Sequence, residues 1–102
     1  MNKIYKVSND FNDKVYIGKT SRELNIRFHE HEINSSGCNS YIHNSIKEHG
    51  IEHYKITLIE DNISDEKINE RERYWISYYN SYKNGYNLTP GGDGRSLSDD
   101  LI

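Results

Sequence analysis

The sequence of 102 residues contains a single cysteine, Cys38, and no apolar run of 18 residues. One cysteine excludes an internal disulfide and a zinc site built from several thiolates, and it fits a reducing compartment. The absence of a long apolar run predicts that the chain has no membrane span. Its first residues also lack the charged-then-apolar pattern of a secretory signal peptide.

Aliphatic residues are scarce, but aromatic residues are not. Nine tyrosines, two phenylalanines and one tryptophan supply large buried surfaces that carry polar tips. A chain of this length is sufficient for one domain with a modest core. We therefore predict a single globular domain whose core is largely aromatic.

The formal net charge is −3, which argues against non-specific attraction of nucleic acid by the chain as a whole. The charge is uneven, however. Residues 1–27 hold six basic and three acidic residues, a local charge of +3, whereas residues 56–102 hold five basic and nine acidic residues. A polyanion should therefore meet the N-terminal part, and the C-terminal half offers carboxylates to a metal ion.

Hydrophobic periodicity and turn residues predict one α+β domain over residues 1–92, followed by a short acidic tail over residues 93–102. The domain is a small three-stranded antiparallel sheet flanked by helices, in the order ββααβα. The predicted elements are a hairpin of Lys3–Val7 and Lys14–Gly18, a helix capped by Thr20 and Glu23 that ends near Ile33, a helix over Ser40–His49 closed by Gly50, a strand over His53–Glu60, and a helix capped by Ser64 that ends near Asn80.

One residue of the last helix is out of pattern. With 3.6 residues per turn, Glu72 shares a face with Ile68, Trp75, Ile76 and Tyr79. Because a carboxylate in a dry interior costs several kcal/mol, its place on the apolar stripe needs a reason.

Three interpretations of Glu72 stay open at this stage. It is a structural acid paired with a buried cation such as Arg27, an edge residue that reaches water, or a ligand of a hard divalent cation. Leu24, Arg27, Phe28 and His31 fall on one side of the first helix, so Arg27 is a second ion on an apolar stripe, which favours a functional role. The pair His29 and His31 does not predict zinc, since residues two apart on a helix point in nearly opposite directions.

Five segments in order resemble the GIY-YIG nuclease family: "KIY", "VYIGKT", "RFHEH", "ERERYWI" and "NGYNLTPGG", over residues 3–92. The chain is most similar to the nuclease domains of phage and intron-encoded homing endonucleases. Lys3 stands where the family name has glycine, although Tyr5 is retained. His43 has no secure counterpart in the pattern and is left out of the predicted site.

The resemblance implies a metal-dependent DNA endonuclease or nickase with weak intrinsic sequence specificity. It implies one Mg²⁺ or Mn²⁺ ion per active site and DNA as substrate, with targeting by a further domain or a partner protein and no membrane partner. The expected location is the cytoplasm of a bacterial or phage-infected host cell.

The resemblance also assigns roles to matched residues. Glu72 would hold the metal ion, and Tyr5 would activate the attacking water. Tyr16 would orient that water or contact the scissile phosphate. Arg27 would stabilise charge on the phosphate, and His31 would assist in proton transfer or in positioning the phosphate, which completes the catalytic set. The predicted substrate-binding residues are Lys19 and Asn87, the latter thought to support the site by hydrogen bonding. Because tyrosine has a pKa of about 10, Lys19, Arg27 and the metal are expected to favour the phenolate of Tyr5.

Two other classes of function remain open. The chain could be a catalytically silent nucleic-acid- or protein-binding module on the same fold, using its tyrosines for contact. It could also be a structural protein in which Glu72 and Arg27 form a buried pair. Removal of Glu72 should destabilise the structural protein but leave a nuclease folded and inactive.

Overall fold

The structure is a computed structural model that describes residues 1–33, 40–88 and 90–91. Cys38 and the predicted acidic tail, residues 93–102, lie outside the described residues. The elements are β1 (Asn2–Asn9), β2 (Tyr16–Thr20), α1 (Leu24–Ile33), α2 (Ser40–His49), a 3₁₀ helix (Ile51–His53), β3 (Tyr54–Ile63), α3 (Ile68–Tyr79) and α4 (Ser81–Asn84).

The three strands form one antiparallel sheet in the order β2-β1-β3, so that β1 is central. In the register of the sheet, Tyr5 of β1 lies opposite Gly18 of β2 and Leu58 of β3. The predicted α+β class and the three-stranded antiparallel sheet are confirmed. No helix in the described part of the chain is both long and apolar enough to cross a membrane.

Side chains alternate between the two faces of the sheet, and each face carries its own core. On one face the buried cluster is Tyr5, Val7, Tyr16, Ile42, Ile46 and Tyr54, with Leu24 and Phe28 of α1 packed against it. On the other face it is Ile4, Ile17, Ile63, Ile68 and Ile76, which includes the buried residues of α3. The helices α1 and α2 therefore cover one face and α3 covers the other.

The hairpin differs from its prediction, because β1 extends to Asn9 and β2 begins only at Tyr16. Asn9 accounts for the difference. Its side-chain oxygen accepts hydrogen bonds from the main-chain N–H groups of Phe11 and Asn12, at 2.9 and 2.8 Å. Asn12 in turn accepts from the N–H of Lys14 at 2.8 Å. These asparagine turns hold the loop that the sequence had assigned partly to a strand.

The predicted helix start at Thr20 is wrong. Thr20 is the last residue of β2, and its hydroxyl accepts the N–H of Arg22 at 3.0 Å in a local turn. The helix α1 begins at Leu24, and the Glu23 carbonyl accepts the first helical hydrogen bond, from the N–H of Arg27 at 3.1 Å. The hydroxyl that was expected to cap the helix is therefore used one turn earlier.

The ends of the other helices are set by backbone geometry. Gly50 closes α2 as predicted, with φ of 97° and its N–H donating to the Ile46 carbonyl at 2.8 Å. The predicted start of α3 at Ser64 is early: residues 65–67 form a turn and α3 begins at Ile68. Asn80 ends α3 in the left-handed conformation, and the chain then forms the short helix α4, for which the sequence analysis had no prediction.

Candidate active site

Gly18 leaves the space in which the side chains of Tyr5 on β1 and Tyr16 on β2 lie next to each other. A methyl group at Gly18 would fall on the ring carbon and hydroxyl of Tyr5, and would lie 2.9 Å from Cε2 of Tyr16. Since real Cβ atoms do not approach other atoms so closely, only glycine allows the Tyr5 side chain to lie across β2. The "YIG" segment therefore provides both an aromatic ring and the space beside it.

The hydroxyl of Tyr5 is joined to two side chains of α1. It lies 2.6 Å from Nε2 of His31, and it accepts a hydrogen bond from Nε of Arg27 at 3.2 Å. Arg27 and His31 are four residues apart, so they share one face of the helix. The sequence pattern placed them on that face, and the structure joins both of them to Tyr5.

Burial controls the protonation of this group. Tyr5 and His31 are both 0% exposed. Burial raises the pKa of Tyr5 well above its usual range, and the neighbouring Tyr16 raises that pKa further, against the lowering effect of Arg27. Burial, followed by the charge of Arg27, lowers the pKa of His31 to about 3. Both side chains are therefore neutral at pH 7.

The expectation that Arg27 favours the phenolate of Tyr5 holds in direction, but the pKa of Tyr5 is nevertheless raised overall. Arg27 acts in the predicted direction, but desolvation has the larger effect. The neutral state also fixes the hydrogen bonds, because a phenol that accepts from Arg27 can still donate to an imidazole. We assign Tyr5 as donor to Nε2 of His31. Among the described residues, Nδ1 of His31 has no partner.

Tyr16 completes this group on the side towards solvent. It is 8% exposed, and its ring centroid lies 6.1 Å from that of Tyr5 and 5.0 Å from that of His31. The three rings are tilted or edge-on to one another, which are favourable arrangements for aromatic pairs. Tyr5, Tyr16, Arg27 and His31, all predicted from the sequence, therefore form one cluster.

Glu30 was missed by the sequence analysis. One of its carboxylate oxygens lies 3.1 Å from Nη1 of Arg27, and the other contacts Nη1 of Arg22. Glu30 and Arg27 are both largely buried, whereas Arg22 is exposed. The spacing of three residues between Arg27 and Glu30 was the available signal, since such pairs are neighbours on a helix.

Glu72 lies on the other face of the sheet. Its side chain is 12% exposed, and its carboxylate lies 3.6 Å from Nζ of Lys19 on β2. The same ammonium group donates a hydrogen bond to the side-chain oxygen of Asn69, one turn before Glu72 on α3. Glu72 therefore lies in a polar, partly solvated place, which resolves the question that its position on the apolar stripe raised.

The edge strand β2 borders both groups, one on each face of the sheet. Gly18 borders Tyr5 on one face, and the next residue, Lys19, turns to Glu72 on the other. Because β2 is at the edge of the sheet, no further strand among the described residues pairs with it on that side. The predicted catalytic residues are thus divided between the two faces of the sheet, on either side of two consecutive residues of β2.

Asn87 holds this strand in place. Its side-chain oxygen accepts the N–H of Ile17 at 2.9 Å, and its side-chain nitrogen donates to the carbonyl of the same residue at 2.8 Å. It is 7% exposed. Asn87 therefore hydrogen-bonds the main-chain groups on the unpaired edge of β2, which fits the supporting role suggested for it. Its side-chain amide is fully used in these two hydrogen bonds.

The oxygen donors suit a hard divalent cation. In the part of the chain that the structure describes, no three His, Cys, Asp or Glu side chains converge on one point. Glu72 offers one carboxylate, and a hard divalent cation can be held by a single protein carboxylate when waters and substrate phosphates fill its other positions. His43 stays outside the site and donates from Nδ1 to the His31 carbonyl at 3.1 Å.

Comparison with known proteins agrees with this arrangement. The family model described as the GIY-YIG catalytic domain matches residues 1–87. Intron-associated endonuclease 1 of Enterobacteria phage T4 is 35% identical over 100 residues, which cover 93% of this chain and 40% of the relative. An uncharacterised protein, 019R, of Invertebrate iridescent virus 6 is 43% identical over 56 residues, 52% of this chain and 19% of that protein.

Two solved structures share the fold. The catalytic domain of the homing endonuclease I-TevI superposes with a TM-score of 0.72 at 29% identity, covering 87% of this chain and 99% of that domain. A variant of that domain with one glutamate replaced by alanine gives a TM-score of 0.73 at 28% identity, covering 92% and 100%. The chain therefore belongs to the GIY-YIG family, and it is a nuclease domain of that type.

Proposed function

We propose that the domain hydrolyses phosphodiester bonds of DNA with one bound divalent cation, Mg²⁺ or Mn²⁺, and with little sequence specificity of its own. The observation that carries the proposal is the junction at β2. There the group of Tyr5, His31 and Arg27 and the pair of Lys19 and Glu72 lie beside two consecutive residues, Gly18 and Lys19. A base, an anion-stabilising guanidinium and a carboxylate ligand are what phosphodiester hydrolysis requires.

Tyr5 and His31 are arranged to move a proton. When the Tyr5 oxygen accepts a proton from the attacking water, the phenol's own proton can move to Nε2 of His31, which lies 2.6 Å from that oxygen. The hydrogen bond from Arg27 stabilises negative charge that develops on the Tyr5 oxygen. Because Tyr5 is fully buried in the free domain, the proposal requires that its hydroxyl becomes accessible when DNA binds.

Arg27 is the residue whose contacts DNA would change. In the free domain its guanidinium is bound by the carboxylate of Glu30 and by Tyr5. A phosphate matches the same planar fork of donors and carries a higher charge, so it competes with Glu30 for Arg27. In this role Arg27 stabilises the charge that builds on the phosphate oxygens, and Tyr16 orients the attacking water beside it.

Glu72 is the proposed ligand of the cation, and Lys19 the proposed contact of the substrate phosphate. A divalent cation at Glu72 would supply Lewis-acid stabilisation of the phosphate and of the leaving oxygen. The role of Asn87 is indirect: its hydrogen bonds to Ile17 hold β2, the strand that carries Tyr16 and Lys19, in position.

Weak specificity and targeting by another part follow from charge. Most DNA affinity comes from phosphate neutralisation, and residues 1–27 carry a local charge of only +3. The chain spans 40% of the length of its T4 relative, so we propose that a further domain or a partner protein directs the nuclease to its site. The phage relative supports the bacterial cytoplasm of an infected host as the place of action.

Conversion of supercoiled plasmid to nicked and linear forms tests the proposal. Wild type is incubated at low salt with Mg²⁺, with Mn²⁺ and with EDTA, beside Glu72→Ala and Glu70→Ala. Glu70 is an exposed acid on the same helix, so its variant makes the same charge change away from the site. We expect metal-dependent cleavage in wild type and Glu70→Ala, and none in Glu72→Ala.

The ratio of nicked to linear product reports whether one strand or two are cut. Cleavage that survives both EDTA and loss of Glu72 would contradict the metal-dependent mechanism. If folded wild type leaves the plasmid intact in both metals but retards DNA on a gel, the binding-module alternative takes first place.

A further inference from the structure

The ammonium group of Lys19 is held by two oxygen donors from one helix. It donates a hydrogen bond to the side-chain oxygen of Asn69 and lies 3.6 Å from Oε1 of Glu72. Asn69 and Glu72 are three residues apart on α3, so their side chains are neighbours on one helix face. Two oxygens therefore face a single cation at this place.

The donor atoms are those that a hard divalent cation uses. Carboxylate and amide oxygens suit Mg²⁺ and Mn²⁺, and such ions are commonly bound by one or two protein oxygens with waters and phosphate filling the other positions. The site is also accessible, since the Lys19 side chain is 33% exposed. An ammonium ion and a divalent cation are thus alternative occupants of the same oxygen pair.

We propose that Asn69 is a second ligand of the cation bound by Glu72, and that Lys19 occupies the cation's place in the metal-free domain. The inference rests on the proposed function in that it takes Glu72 as the metal ligand. Cation binding then displaces the Lys19 ammonium, because two positive groups cannot share one pair of oxygens at this distance. The released ammonium group becomes free to contact a substrate phosphate.

This arrangement predicts opposite effects of two substitutions on cation affinity. Lys19→Met removes the competing ammonium group and keeps most of the length of the side chain, so Mn²⁺ should bind several-fold more tightly than to wild type. Asn69→Leu removes one oxygen ligand and keeps the branched shape of the side chain, so it should weaken Mn²⁺ binding, by roughly tenfold if a ligand's loss resembles other losses of metal-site partners.

The double variant separates a ligand from a residue that only positions Lys19. If Asn69 merely holds the lysine, its oxygen has no effect once Lys19 is methionine. If Asn69 is a ligand, Asn69→Leu lowers Mn²⁺ affinity in the Lys19→Met background as well. The measurement is the bound fraction of Mn²⁺ by electron paramagnetic resonance, without DNA, so no activity enters the result.

Two further variants serve as controls, and circular dichroism checks that all variants fold. Asn44→Leu makes the same substitution at an exposed position on α2 and should leave Mn²⁺ affinity unchanged. Glu72→Gln should abolish specific binding in the Lys19→Met background. As a second readout, Mg²⁺ should shift the side-chain NMR signals of Lys19 in wild type but not in Glu72→Gln.

The outcomes are distinguishable. Equal Mn²⁺ affinity of Lys19→Met and the double variant overturns the role of Asn69 and leaves the proposed function standing. If the Lys19→Met variant shows no Mn²⁺ binding that depends on Glu72, both this inference and the metal assignment of the proposed function fail. Weaker binding in the double variant, together with loss in Glu72→Gln, supports both.

Discussion

The hydroxyl of Tyr5 lies 2.6 Å from Nε2 of His31, and both side chains are completely buried. Burial keeps the two groups neutral, with the pKa of the phenol raised and the pKa of the imidazole lowered to about 3. The neutral Tyr5 phenol and the neutral His31 imidazole at this distance form a hydrogen bond along which a proton can move during the reaction. The cost of this arrangement is a dependence of stability on pH.

The first prediction concerns acid unfolding. His31 has a folded-state pKa of about 3, below the value of about 6.5 expected for an unfolded chain. Between these pH values the unfolded state binds one more proton than the folded state, so stability falls as pH falls. The slope from this one group approaches about 1.4 kcal/mol per pH unit. Above pH 6.5 its contribution is fully present.

Urea unfolding of wild type and His31→Gln at several pH values measures this slope. The variant should be less stable near pH 7, and the difference between the two proteins should shrink as the solution is acidified from about pH 6 to about pH 4. Other histidines contribute equally to both proteins and cancel. A His31 ring signal that titrates near pH 6.5 by NMR would contradict the prediction.

The second prediction is that Gly18→Ala displaces Tyr5. The new methyl group would overlap the Tyr5 ring and approach Cε2 of Tyr16 to 2.9 Å, which should cost about 1–3 kcal/mol of stability and most of the cleavage activity. A double-mutant cycle with Tyr5→Leu identifies the cause. In the Tyr5→Leu background the cost of Gly18→Ala should be much smaller, whereas additive costs would mean that the clash lies elsewhere.

The sequence predicted those features of the site that depend on local spacing. Periodicity placed Arg27 and His31 on one side of α1, and it identified Glu72 as an acid on the inner face of α3. The α+β class followed from the order of hairpin, helices and strand. Each of these features depends on residues that lie within a few positions of one another in the chain.

Contacts between distant residues were not predictable in this way. Asn87 and Ile17 are 70 residues apart, and Lys19 and Asn69 are 50 residues apart. Such contacts depend on strand register and on how α3 crosses the sheet, neither of which periodicity contains. The effect of burial on the pKa of Tyr5 was not predicted for a similar reason, because the burial of a side chain is a property of the whole fold. The early helix start at Thr20 failed because one hydroxyl can cap a helix or close a turn.

The third prediction separates support from substrate contact at Asn87. Asn87→Leu leaves the buried N–H and carbonyl of Ile17 without the partners they now have, which should cost about 2 kcal/mol or more. Amide exchange at Ile17 should become faster, because the edge of β2 is no longer held. Asn84→Leu, at an exposed position on α4, should change stability by less than about 0.5 kcal/mol. Lost cleavage with unchanged stability and exchange would favour direct substrate binding.

The fourth prediction concerns Glu72. Because its carboxylate is paired with the partly exposed Lys19 at 3.6 Å, its removal does not leave a deeply buried charge alone. The free energy of unfolding of Glu72→Gln should therefore lie within about 1 kcal/mol of the wild-type value, or slightly above it, while cleavage is lost. A large loss of stability would instead favour the structural-protein interpretation, in which the glutamate is retained for folding.

The fifth prediction concerns Glu30, whose carboxylate bridges Arg22 and Arg27. Glu30→Gln removes the negative charge that competes with phosphate for both arginines, so DNA should bind several-fold more tightly at low salt. The dependence of log affinity on log salt should steepen, by roughly one for each additional phosphate that the arginines neutralise. Cleavage at saturating DNA should nevertheless fall, since Glu30 also orients the guanidinium that reaches Tyr5.

Glu32→Gln is the matched control, because Glu32 lies on the same helix, is more exposed, and pairs with His29. It makes the same change in net charge without touching Arg27, so it should alter affinity weakly and leave the rate at saturation unchanged. Equal effects of the two variants on affinity would mean that only overall charge matters. A Glu30→Gln variant that binds more tightly and also cleaves faster would show that Glu30 restrains Arg27 and does not position it.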